Sequence, residues 1–406
     1  MIQGSTETNA PKNQPHHGPL KRNLKKRKGL PEKQVRRMID AAFGKELHAK
    51  QVFSLSQATL GAIHAGSMGI HAIGQGLAAA QGLSPKHAIK QVDRALSNNN
   101  LDVWRLFDSW VPCAVGDRSE IVVALDWTEF DGDDHSTIAM HLVTSHGRAT
   151  PLLWLTVKKS ELKDQRNAYE DQLLVKLREA LPPDVEVLVL ADRGFGDKKL
   201  FEFMEELEFH YLIRFKGGTF VTNSRGERRK ASDWLSHTGR AVTLRKAKIT
   251  AEECPVETVV CVWDRRMKEA WYLASDLPLT GNQAAKRYGR RFTIEETFRD
   301  IKDDRYGMGM SATHIGDAKR RDRLFLIATM AIYLLTLLGA AAESRGLDRL
   351  LKANTVKRRT HSLFRQGRYW YDAVPQMHTS DLRPLLRCFG ELIAEQPFFK
   401  EIFGLV

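Results

Sequence analysis

Apolar and polar positions alternate with different periods along the chain, and the changes of period mark its segments. From 38 to 110 the apolar residues recur at helical spacing. Within IGQGLAAAQGLSPKHAIKQVDRAL (73–96) an alanine-rich helix meets a turn at Gly82. A second helix follows, with Ser84 suited to cap it and Pro85 to open it. On that second helix Ile89, Val92 and Leu96 repeat at core spacing. Lys86, Lys90 and Arg94 repeat every four residues on another face, with His87 and Gln91 beside them. Two short helices around a glycine turn, the second with a basic outer face, have the layout of a helix-turn-helix; ordinary helical hairpins share it.

From Ser119 the period shortens to that of strands. EIVVALD is a continuous apolar run expected to end at Asp126, and HSTIAMHLVTSHG and PLLWLTVK read as two more strands around a turn at Gly147. A charged amphipathic helix spans about 164–181, broken by Pro182-Pro183. VEVLVLAD is a buried strand ending at Asp192, DKKLFEFMEELEF a helix, YLIRFKGG another strand. Three strands, helix, strand, helix, strand is the order of a ribonuclease-H-like mixed α/β sheet. Between 217 and 278 a β-rich stretch intervenes (AVTLRKAKIT, VETVVCVWD, EAWYLAS), expected as an inserted subdomain. Helical segments close the chain. LFLIATMAIYLLTLLGAAA (324–342) nearly meets the length of a membrane span. It is single, contains Thr329 and Thr336, and follows the basic KRRDR, so a buried core helix is the expectation. The divisions are therefore a basic arm expected to be disordered (1–37), an all-α domain (38–115), the first part of the sheet domain (116–216), the β-rich insertion (217–278), the second part of the sheet domain (279–342) and a helical C-terminal region (343–406).

Charge narrows the partner. Lys and Arg outnumber Asp and Glu by 62 to 49, a balance that favours a polyanion, nucleic acid before anionic membrane. The first 40 residues hold ten Lys/Arg against three Asp/Glu, an arm that would grip a phosphate backbone or serve as a solvated tail. The four cysteines (Cys113, Cys254, Cys261, Cys388) show no zinc spacing, which suits a reduced, cytoplasmic protein. No histidine pair has metal-ligand spacing, and DGDD (131–134) is expected as a hairpin turn.

The chemistry concentrates at three carboxylates. Asp126 and Asp192 stand at the expected carboxyl ends of apolar strands, where open α/β sheets gather reactive groups. The third is in YGRRFTIEETFRDIK (288–302). Stepped at roughly 100° per residue, Tyr288, Arg291, Glu295 and Lys302 fall on one side of a single helix, with Ile294, Phe298 and Ile301 as an apolar stripe beside them. Three converging carboxylates repel unless cations neutralise them, and hard oxygen donors select Mg²⁺ or Mn²⁺. Two such ions are suited to phosphodiester chemistry. Glu129 falls beyond the expected strand end and is the weaker alternative to Asp126.

DWTEF, ADRGFGD and the spacing Y-x-x-R-x-x-x-E-x-x-x-x-x-x-K resemble bacterial insertion-sequence DDE transposases of the YREK-signature, cut-and-paste group (family four). RYGMGMSATHI and RRDRL resemble them as well, and the likeness covers roughly 115–340. It implies that Asp126, Asp192 and Glu295 bind two Mg²⁺ or Mn²⁺ ions and catalyse DNA cleavage and strand transfer. Tyr288, Arg291 and Lys302 would hold backbone phosphates. Trp271 would stack on a flipped-out base during hairpin formation, with Tyr272 or Trp263 as alternates. Lys86, Lys90 and Arg94 would contact DNA, and the protein would work as a homodimer on double-stranded transposon ends and target. KRRTHSLFRQGRYWY (357–371) is a DNA contact or part of the dimer interface. Two competitors remain: a ribonuclease-H-fold nuclease without strand transfer, and a non-catalytic DNA-binding regulator.

Overall fold

The computed structural model describes residues 28–394 apart from 197, 237 and 266. Most of the basic arm and the last twelve residues of the C-terminal region lie outside the described residues. Five helices come first: α1 (Glu32–Phe43), α2 (Ala49–Ala65), α3 (Ile70–Gln81), α4 (Pro85–Leu96) and α5 (Val103–Val115). The boundary placed at 37 is corrected, because α1 starts at Glu32 and buries Val35 completely. The α3–α4 pair is formed as its turn chemistry dictates, with Gly82 in the left-handed region at φ 70° and Pro85 opening α4. Ser84 is at the N-cap, but its side chain makes no capping hydrogen bond.

The sheet follows: β1 (Glu120–Phe130), β2 (His135–Leu142), β3 (Thr150–Lys158), α6 (Arg166–Ala180), β4 (Glu186–Ala191), α7 (Lys198–Glu206), β5 (His210–Arg214), β6 (Phe220–Thr222), β7 (Arg228–Lys230), β8 (Val242–Ile249), β9 (Cys254–Val262) and β10 (Trp271–Ser275). β1, β4 and β5 are parallel neighbours, and β2 and β3 extend the β1 edge antiparallel. The insertion is not a subdomain apart. β10 pairs antiparallel with β5, giving one ten-stranded sheet in the order β3-β2-β1-β4-β5-β10-β9-β8-β6-β7. The open edge of β5 carries unpaired N–H and C=O groups, and β10 satisfies them.

Five α-helices follow among the described residues, α8 (Gly281–Gly289), α9 (Phe292–Lys302), α10 (Ala318–Ser344), α11 (Leu363–Ala373) and α12 (Thr379–Ala394), with short 3-10 turns at Met310–Ala312 and Leu347–Leu351. α10 is long and apolar enough to cross a membrane, with mean hydropathy 2.3 in its most apolar stretch, yet 94% of that stretch is packed inside the fold. α11 lies directly on it. A methyl added at Gly339 would sit 1.9 Å from the Leu363 carbonyl oxygen, and one at Gly367 would sit 1.7 Å from that of Leu335. Part of the basic aromatic segment is thereby accounted for as packing, since Leu363, Phe364, Gly367, Trp370 and Tyr371 are buried.

Candidate active site

β1 and β4 run in parallel register as far as Leu125 and Ala191. Asp126 and Asp192 are therefore the next residue on each strand, side by side where the parallel pairing stops. β1 does not end there, contrary to the expectation, but continues to Phe130 as a hairpin with β2, so Asp126 and Glu129 both lie within the strand. The hairpin partner supplies hydrogen bonds that the polar WTEF segment would otherwise leave open. Asp131–Asp133 form the expected turn.

Asp126 Oδ1 accepts from the Trp127 N–H at 2.9 Å, and its Oδ2 accepts from Arg291 at 3.0 Å. Burial pushes its pKa up to about 6; the Arg291 charge opposes this rise, and the neighbouring Asp192 and Glu295 charges add to it. After β4 the chain turns through Arg193-Gly194, and Gly194 N–H donates to Asp192 Oδ1 at 2.7 Å. A methyl at Gly194 would come within 3.1 Å of that same oxygen. Glycine thus lets the backbone close on the carboxylate.

The single helix expected for 288–302 is two helices. α8 ends at Gly289 and α9 begins at Phe292. The turn between them is held by i→i−3 bonds, Arg291 N–H to Tyr288 O at 2.9 Å and Ile294 N–H to Arg291 O at 3.0 Å. Glycine is a poor helix former, and the tight 3-10 geometry bends the rod at that point. Tyr288 and Glu295 consequently sit on different helices. Tyr288 is fully buried, its pKa pushed up to about 12 by burial, with its ring 5.8 Å beneath the Arg291 guanidinium. Arg291, only 5% exposed at its side chain, also pairs with Glu295 one turn into α9. Burial works against its positive charge, but Tyr288, Asp126, Glu295 and Asp192 hold its pKa above the ordinary value. One guanidinium therefore ties a sheet carboxylate to a helix carboxylate, with Asp192 in its field.

α9 is fixed from several sides. Thr297 Oγ1 donates to Ala149 O at 2.8 Å, and buried Asp300 pairs with Arg148 at 2.5 Å and Arg365 at 2.8 Å. Lys302 donates to Thr128 Oγ1 at 2.9 Å and Glu129 O at 2.5 Å, its ammonium 4.8 Å from the Phe130 ring centre. Lys302 thus ties α9 to β1 rather than standing free. Trp271, at the start of β10, stacks on Phe292 with centroids 5.8 Å apart and meets Tyr288 edge-on at 5.1 Å. Phe292 was missed in the sequence, although an aromatic directly after Arg291 was a usable signal. Tyr272 packs on Gly217, and Trp263 is exposed and donates to Met267 O. Arg148 and Arg365 carried no signal, since their contacts cross 152 and 65 positions of sequence.

Lys86, Lys90 and Arg94 lie far along the chain from this cluster, exposed on α4. A groove beside α4 is lined by Arg36, Lys50, Phe53, His87, Lys90 and Arg94. The Arg36 guanidinium lies 5.8 Å over the exposed Phe53 ring. Among the described residues none of these cations forms an ion pair, so the groove presents uncompensated positive charge. Arg36, Lys50 and Phe53 were not foreseen, because they come from α1 and α2.

The family comparison bears on the same region. A profile for the transposase DDE domain matches residues 117–334. The chain belongs to the transposase DDE domain family. No curated protein matches it. In this transposase the matched segment begins just before β1 and ends within α10, so it takes in Asp126, Asp192 and Glu295. The helical α1–α5 region lies outside the match.

Proposed function

We propose that the transposase is a cut-and-paste enzyme of the YREK-signature group that binds the terminal inverted repeats of its own bacterial element, as a homodimer on double-stranded DNA. Asp126, Asp192 and Glu295 are its catalytic carboxylates. The observation that carries this reading is the Arg291 bridge. A residue between α8 and α9 meets Asp126 and Glu295 at once, beside the register position shared by Asp126 and Asp192.

The donor set fits the family's need for divalent metal. All three groups offer hard carboxylate oxygens, the choice of Mg²⁺ or Mn²⁺. Among the described residues no three His, Cys, Asp or Glu side chains already close on one point. What holds two of the carboxylates near each other is a cation of the protein's own, the Arg291 guanidinium. Divalent ions there would supply activation of an attacking hydroxyl and charge for the leaving oxygen at a phosphodiester. Asp126, Asp192 and Glu295 would hold them, two ions being the number that suits phosphodiester chemistry. With the carboxylates so neutralised, Arg291 would be available to a DNA phosphate, for which its planar fork is suited.

Trp271 with Phe292 offers the aromatic surface for an extruded base, which supports excision through a hairpin. Tyr288 supports this wall from below, and Lys302 secures the helix that carries Glu295. On α4, Lys86, Lys90 and Arg94 would contact the repeat, with Arg36 and Lys50 across the groove gripping backbone. The free thiols at Cys113, Cys254, Cys261 and Cys388 support a reduced, cytoplasmic setting at the nucleoid.

The test uses the purified transposase, Mg²⁺ and labelled DNA carrying the inverted repeats that flank its gene, resolved on a denaturing gel. End-specific nicks and a hairpin-length product, absent for Asp192→Ala, are expected. Nicks with neither hairpin nor joined product would leave a nuclease; binding without cleavage by the unaltered protein would leave a regulator.

A further inference from the structure

The head of α10 carries Lys319-Arg320-Arg321-Asp322-Arg323, and four consecutive residues reach different parts of the fold. Arg320 pairs with Asp93 of α4 at 2.6 Å and also donates to the Ser97 hydroxyl just after that helix. Arg323, almost wholly buried, donates to Leu96 O at 2.7 Å, Leu101 O at 3.1 Å and Asn99 Oδ1 at 2.9 Å. These are the last residue of α4 and the loop behind it, so both arginines hold the carboxyl end of the helix that bears Lys86, Lys90 and Arg94. A cation at that end also suits the helix dipole.

The two residues between them hold the sheet. Asp322 Oδ1 accepts from the Thr156 N–H of β3 at 3.0 Å. Arg321, fully buried, pairs with Asp133, donates to His135 Nδ1 at 3.0 Å and lies 4.1 Å from the Phe130 ring centre. Phe130 ends β1, the strand of Asp126, and Lys302 from the end of α9 approaches the same ring at 4.8 Å. Phe130 is thus held between a cation of α10 and a cation of the Glu295 helix. Arg321 and Arg323, both buried and each tied to several partners, link these elements at fixed positions.

We propose that this cluster sets the distance between the DNA read by α4 and the phosphodiester cut by the carboxylates. Arg320 and Arg323 are positioning residues on the reading side, and Arg321 is one on the cutting side. The proposal rests on the transposase reading given above and adds to it where cleavage falls. α4 otherwise packs mainly on α2 and α3, while α2 itself rests on α10. Loss of the Arg320 contact therefore loosens the end of α4, which Arg323 still ties through Leu96 O, without releasing the helical region as a whole.

Two labelled substrates test this on the full-length protein: the natural end, and the same end with two base pairs inserted between the recognised repeat and the cleavage point. The unaltered protein is expected to cut at one distance from the repeat on both. Arg320→Glu, which sets two acids against each other, is expected to spread nicks to neighbouring positions. The ratio of main to neighbouring nicks should drop at least about threefold, the scale of a lost partly exposed ion pair, while the affinity for end DNA is kept. Asp93→Arg combined with Arg320→Glu restores the pair in reverse and should restore the single position, which general damage to the fold would not allow. Arg320→Gln is read the same way should Arg320→Glu fail to fold. Nicks as sharp as those of the unaltered protein in the single variants, or spreading that the reversed pair leaves unrepaired, would overturn the proposal and leave the transposase reading standing. Absence of end cleavage by the unaltered protein would remove both.

Discussion

Arg291 occupies a position where a side chain of the protein balances the charge of two neighbouring acids. Its guanidinium is shared by Asp126 and Glu295, and with Asp192 in its field it reduces the repulsion that would otherwise keep the acids apart. Asp322 solves a different problem. It is buried and forms no ion pair among the described residues, and desolvation pushes its pKa up to about 8 although Thr156 and the flanking arginines favour the charged form. Below 3.8 the folded and unfolded chains both keep the proton; between 3.8 and about 8 the unfolded chain releases it while the fold retains it. Stability from this group is therefore lost as pH rises through that window and levels off above it. Asp322→Asn still offers an acceptor to the Thr156 N–H and should flatten this part of the curve, read from urea midpoints across the window. An unchanged slope would mean that Asp322 is ionised in the fold. Asp126, Asp192, Arg291 and Glu295 could be singled out in the sequence because acids at the end of apolar runs and a helical spacing are local patterns. Asp300 with Arg148 and Arg365 was not, since nothing local marks a pair that only the tertiary fold brings together.

At the scale of elements, α10 and α11 approach so closely that glycine is required on both. A methyl at Gly367 would overlap the Leu335 carbonyl oxygen at 1.7 Å, and no side-chain rotation relieves a clash with backbone. Gly367→Ala should cost about 3 kcal/mol or more, at the upper end of overpacking effects, seen as a lower denaturant midpoint with an unchanged slope. Gly132→Ala, where an added methyl meets nothing within 4 Å, is the matched control and should be nearly neutral. Equal midpoints for the two variants would show that the helices can part at little cost. Elements also show where periodicity stops being sufficient. The spacing of Tyr288, Arg291, Glu295 and Lys302 is helical throughout, and it does not reveal the 3-10 turn after Gly289 that sends Tyr288 into the core. The patterning of AVTLRKAKIT, VETVVCVWD and EAWYLAS marks β8, β9 and β10 as strands but says nothing about the partner of β10, which is the edge of β5. Hydrogen-bond partners between distant strands are set by the assembled sheet.

Across the whole molecule, positive charge and acidic chemistry are separated. The groove beside α4 carries cations that form no ion pair among the described residues, Asp126 and Asp192 sit where the parallel pairing of β1 and β4 stops, and the head of α10 touches both regions. A basic composition suggested a polyanionic partner from the outset, yet the frame between reading and cutting surfaces depends on contacts more than 180 residues apart. In the proposed reaction Asp192 holds a divalent cation for DNA cleavage, and replacing its oxygen donors by sulfur probes that role. A thiolate is a soft donor that Mg²⁺ rejects and Mn²⁺ tolerates better. Asp192→Cys, incubated with end DNA, should give more than about a hundredfold less nicking than the unaltered protein in Mg²⁺. It should regain nicks at the same position in Mn²⁺, a rescue that Asp192→Ala does not show. Undiminished cleavage by Asp192→Cys in Mg²⁺, or equal rescue of Asp192→Ala by Mn²⁺, would contradict the account.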